Sequence, residues 1–96
     1  QQSRNAIRDV KNARQWLTVF PNPTAEMVQL SFTSDWKFKS TRLRVINTAG
    51  VVVWEQKLVD KPIEILPLDV SSWPAGSYTV VIENEDTQSS ASFVKL

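Results

Sequence analysis

The stretch Leu68-Asp69-Val70-Ser71-Ser72-Trp73-Pro74-Ala75-Gly76-Ser77-Tyr78-Thr79-Val80 decides the fold. An apolar residue leads into a Pro-Ala-Gly corner, and two residues past the glycine a tyrosine opens a β-branched run. A crossover between the sheets of an immunoglobulin-like sandwich reads this way: a tyrosine at the start of the later strand turns its hydroxyl back onto the backbone of the corner. Asp69 suits a turn role just before that corner.

Outward from the corner the texture is β. Upstream, Leu17-Thr18-Val19-Phe20 is a short strand ended by Pro21-Asn22-Pro23, a rigid turn, because two prolines around an asparagine forbid both a helix and an interior ladder. Val28, Leu30 and Phe32 alternate with polar residues, and Leu43-Arg44-Val45 repeats the pattern. Asn47-Thr48-Ala49-Gly50 supplies a turn into Val51-Val52-Val53-Trp54. Ile63, Ile65 and Leu68 mark a strand region that Pro62 and Pro67 keep off the centre of a sheet. Downstream, Tyr78, Val80 and Ile82 alternate, Glu83-Asn84-Glu85-Asp86 turns, and Ala91 to Leu96 is a last strand. About seven short strands with frequent turn signals predict an all-β, Ig-like antiparallel sandwich over residues 17–96.

Composition limits the chemistry. The 96 residues make one domain, able to bury roughly 60–65% of its unfolded surface without a staple. Eleven basic and ten acidic residues leave a net charge of +1, so no bulk field favours nucleic acid. With no cysteine and no histidine, there is no thiolate nucleophile, imidazole base or Cys/His zinc site. No run reaches the ~18 apolar residues of a transmembrane helix. Residues 1–16 carry Arg4, Arg8, Lys11 and Arg14 against Asp9, a net +3 that leaves the other eighty residues at −2. They read as a linker or upstream segment with room for a helical turn, the sharper alternative being a basic anchor or docking helix.

Three groups invite a chemical reading. Glu83, Glu85 and Asp86 offer carboxylate oxygens to a hard cation, but the spacing is not that of a calcium loop and the expectation is a solvated turn. Asp35, Glu64 and Asp69 are scattered over a sandwich with no substrate cleft, which predicts no catalysis and no cofactor. Of Trp16, Trp36, Trp54 and Trp73, only Trp36, between Asp35 and Lys37, reads as exposed, and a single exposed ring falls short of a sugar platform.

From Leu17 to Leu96 the chain resembles the type A C-terminal sorting domain of the type IX, or Por, secretion system. The likeness rests on four pieces in order: Leu17 to Thr24 with its Pro21-Asn22-Pro23 turn, Leu43 to Val53 with its turn glycine Gly50, the corner with Leu68, Asp69, Ser71, Pro74, Ala75, Gly76 and Tyr78, and Ser92-Phe93-Val94-Lys95-Leu96 at the end. One departure stands after Thr24, where Ala25-Glu26-Met27 replaces the small polar-glycine turn usual in the family. The chain has only two glycines, Gly50 and Gly76, and both fall where the pattern sets them, at turns expected to need positive φ.

The resemblance implies a non-catalytic address label. Such domains end exported proteins that cross the inner membrane by a separate signal peptide. In the periplasm the domain is recognised by an outer-membrane translocon with its shuttle and sortase proteins. The attached passenger reaches the cell surface or the medium, usually after a sortase-like protease cuts before the sandwich. Here the cut would fall before Leu17, and Phe93, Val94, Lys95 and Leu96 would form the recognition element. Pro21, Asn22, Pro23, Gly50, Asp69, Pro74, Gly76 and Tyr78 would be scaffold. A terminal strand with unpaired backbone groups suits strand addition by a partner, with Lys95 either a charge that sets register or a lysine that blocks the edge. The same free edge allows two copies to pair. Two other readings stay open: the module kept uncut on a component of the secretion machinery, and a generic Ig-like adhesion or carbohydrate-binding module.

Overall fold

Alternating apolar residues become seven strands in the computed structural model, which describes residues 16–34, 36–58 and 62–96. In chain order they are β1 (Leu17–Phe20), β2 (Met27–Phe32), β3 (Arg42–Asn47), β4 (Val52–Lys57), β5 (Ile65–Asp69), β6 (Gly76–Glu83) and β7 (Gln88–Lys95). One sheet runs β1-β2-β5 and the other β4-β3-β6-β7, every neighbouring pair antiparallel. The chain is thus an all-β, Ig-like sandwich of three strands on four.

The core is the inward row of every strand but β4: Leu17 and Val19, Val28, Leu30 and Phe32, Leu43 and Val45, Leu68, Tyr78, Val80 and Ile82, and Phe93, with Trp54 of β4 half-buried against it. Each such side chain contributes about 1.5–3 kcal/mol by leaving water, and a one-residue slip in any register would turn the whole row outward. Pro67 sits in β5, an edge strand, where a missing N–H is tolerated.

Turns close as their residue types require. Asn47 Oδ1 accepts from the N–H groups of Ala49 (2.9 Å) and Val51 (3.0 Å), and Gly50 stands at φ +81°. Asn84 Oδ1 likewise accepts from Asp86 and Thr87 (2.8 and 2.9 Å), making the turn into β7.

Three features differ from the sequence reading. Trp36 is buried, 4% exposed, not displayed: its indole N–H donates to the buried Thr41 hydroxyl (3.3 Å) and its ring meets Trp16 edge-on. Trp36 and Phe38 alternate with Lys37 and Lys39, so this loop faces the core with one side and water with the other. β7 begins at Gln88, three residues before Ala91, because Glu83, Ile82 and Val81 of β6 pair with Gln88, Ser89 and Ser90 despite their weak strand propensity. β4 runs on through Glu55-Gln56-Lys57 opposite Arg44-Leu43-Arg42, beyond its apolar part. The linker segment and Asp35 lie outside the described residues, except for Trp16, which packs against the core.

Candidate functional site

The corner between β5 and β6 is built as its residue types require. The Tyr78 hydroxyl donates to the Pro74 carbonyl at 2.6 Å, closing the tyrosine loop. Gly76 stands at φ +151°; a Cβ there would meet no atom within 4 Å, so the backbone and not crowding selects glycine. Asp69 accepts from the Ser71 N–H (2.9 Å) and hydroxyl (2.7 Å), and these bonds hold its carboxyl below the ordinary range. Above the corner the Tyr78 ring stacks on Phe93 (5.4 Å, 20°), with Trp73 against both. The corner is therefore the floor on which the end of β7 rests.

The outer edge of that end is occupied. The Val94 N–H donates to Asn22 Oδ1 (2.9 Å), across 72 residues of sequence. The Thr24 N–H donates to the Val94 carbonyl (2.9 Å), and the Leu96 N–H donates to the Thr24 carbonyl (2.8 Å), so Thr24 straddles Lys95 in a parallel bridge. Both X-Pro bonds of the turn, Phe20-Pro21 and Asn22-Pro23, are cis. Thr24 is itself buried, and its hydroxyl donates to the Met27 carbonyl, closing the Ala25-Glu26-Met27 loop without a glycine. The unpaired backbone expected at the terminal strand is thus absent at Val94 and Leu96.

The four residues at the chain end divide by face. Phe93 and Lys95 belong to the inward row; Val94 and Leu96 point out, 42% and 65% exposed. Lys95 is 7% exposed, with Gly76 opposite on β6 and Thr24 on its other side. Its amine donates to the Leu96 carbonyl at 2.9 Å. A lysine that blocks an edge points into water, and this one lies along the sandwich with its stem covered. The structure brings the Pro21-Asn22-Pro23 turn to residues 93–96 from one side and Pro74, Gly76 and Tyr78 from the other; Gly50 lies away, in the β3–β4 turn.

The acidic residues are arranged as surface partners. Glu83 pairs with Arg44 of the neighbouring strand (2.5 Å), and Glu85 lies 3.9 Å from Lys39. Among the described residues no cluster of three potential metal ligands forms, and no helix is long and apolar enough to cross a membrane.

The chain is thus a small Ig-like β module, three strands on four, whose last strand is held on both sides: by β6 along one edge and by Asn22 and Thr24 at the other. Residues 18–96 match the secretion system C-terminal sorting domain, and the chain belongs to that family. It is a sorting signal of the type IX kind, which implies contact with secretion machinery and export to the cell surface or the medium. Among solved structures the chain is similar to a DUF3244 family protein with an immunoglobulin-like β-sandwich fold from Bacteroides vulgatus ATCC 8482. The TM-score is 0.69 at 20% identity, over 85% of this chain and 86% of that one, a likeness of fold alone. No curated protein matches the chain.

Proposed function

We propose that this domain is read in the periplasm by the outer-membrane translocon of the secretion system and its shuttle protein. It thereby carries a covalently attached upstream passenger across the outer membrane. A sortase-like protease then removes it by cutting within residues 1–16, the linker in this reading. Phe93, Val94, Lys95 and Leu96 form the recognition element, and the remaining motif residues are scaffold. The observation that carries this reading is the family match, which runs from residue 18 through the last strand to Leu96. The burial of Trp36 weighs against the sugar-binding alternative, which needed that ring in solvent.

The test is a fusion of residues 1–96 behind a signal peptide and a fluorescent passenger, expressed in a host with the secretion system. Surface delivery that is lost when Lys95 and Leu96 are removed is the expected result. A passenger held in the periplasm by the intact domain overturns the proposal.

A further inference from the structure

The geometry points to Asn22 and Thr24 as positioning residues of the sorting signal, fixing how the chain end is read. This rests on the recognition role proposed above for residues 93–96. A partner adding a strand to β7 would need the outward N–H and C=O of Val94 and the N–H of Leu96. Those three groups are already taken by Asn22 Oδ1, the Thr24 N–H and the Thr24 carbonyl. What remains on offer at this end is the side chains of Val94 and Leu96, exposed and apolar, while Lys95 between them is turned inward. The partner therefore reads the end as two apolar side chains in an apolar recess, with its own backbone left out of the contact. Preorganisation favours this mode, since a strand tied down on both edges enters a recess with its ordering cost already met by the fold.

Asn22 is the replaceable part of the clamp, because its contribution is one side-chain oxygen, whereas Thr24 contributes backbone. Asn22→Ala deletes the acceptor; Asn22→Asp keeps an oxygen in place. In the purified domain, Asn22→Ala is expected to speed amide exchange at Val94 by roughly five- to tenfold, the scale of one hydrogen bond. Amides of Val80 and Ile82 in the sheet centre are expected to be unchanged. In the passenger fusion, Asn22→Ala is expected to lose surface delivery and Asn22→Asp to restore both delivery and slow exchange. Val94→Asp and Leu96→Asp, which leave the clamp in place, are expected to lose delivery with normal exchange at the neighbouring amides. Delivery by Asn22→Ala at or above the unsubstituted level, with Val94 exchange accelerated, overturns the inference, because the clamp would then be irrelevant or would oppose a strand-adding partner. Asn22→Asp that restores slow exchange but not delivery overturns it too. Failure of the unsubstituted fusion is a separate result: it removes the sorting proposal, and this inference with it.

Discussion

The four-stranded sheet ends in two edges that are built in opposite ways. At the β7 edge, the terminal residues are held by backbone bonds to β6, by the Asn22 and Thr24 clamp on the other side, and by the Tyr78 and Trp73 rings beneath Phe93. At the β4 edge, β3 is the one neighbouring strand among the described residues, and Val51, Val52 and Val53 are all exposed. The β4 edge is blunted in other ways. Its register jumps so that Val45 faces Trp54 while Ile46 faces Val52, leaving Val53 as a bulge, and Glu55 and Lys57 add charge. An edge that must only avoid sticking needs a bulge and some charge. The β7 end is fastened instead, as the proposed presentation of the Val94 and Leu96 side chains requires.

The contrast is broken most forcefully at Phe93. This ring is 1% exposed and joins β7 to the corner, so Phe93→Ala is expected to destabilise the domain by about 3–5 kcal/mol in denaturant melts. Val53→Lys at the other edge is expected to stay within about 0.5 kcal/mol of the parent. A large loss from Val53→Lys would mean the β4 edge is structural too.

Tyr78→Phe sharpens the comparison at lower cost. It removes one hydroxyl bond to the Pro74 carbonyl while leaving the stack on Phe93, and should destabilise by roughly 1–2 kcal/mol. For a domain of this size each kcal/mol lowers Tm by about 4–8 °C. Lost secretion at an unchanged Tm would assign the hydroxyl to the machinery and not to the corner.

What could be read in the sequence follows the range of the interactions. The corner is legible because its bonds are local, Ser71 to Asp69 two residues apart and Tyr78 to Pro74 four apart, and because Gly76 answers to its own backbone angle. The Asn47 and Asn84 turns were legible for the same reason. The clamp was not: Pro21-Asn22-Pro23 announces a turn, but nothing local says that the Asn22 amide crosses to Val94. Trp36 is misplaced by its neighbours, and Lys95 is left open between two roles by its own. A lysine near a chain end and a tryptophan between charged residues both suggest solvent, yet strand parity turns one inward and loop alternation buries the other. A sharper signal for Lys95 was available, since it shares strand parity with Phe93.

The smallest effect concerns pH, and it separates the two edges without altering a core contact. The Asp69 carboxyl is held below its ordinary pKa by the Ser71 N–H and hydroxyl, so folding favours the carboxylate. A carboxyl depressed in the folded state adds stability above its unfolded pKa, near 3.8, and that stability fades as pH falls through the lower folded value. Near neutral pH the acid and Asn at this position should therefore differ by a constant amount. In Tm measurements carried downward from pH 5, the parent should lose its advantage over Asp69→Asn, with the change concentrated below about pH 4. Amide exchange should place the loosening at the corner and the β7 end it supports, with β4 unaffected. If the parent and Asp69→Asn keep the same spacing in Tm down to the lowest pH, the Ser71 bonds do not stabilise the corner, and the floor beneath the terminal strand rests on the Tyr78 and Trp73 rings and the Tyr78 hydroxyl bond.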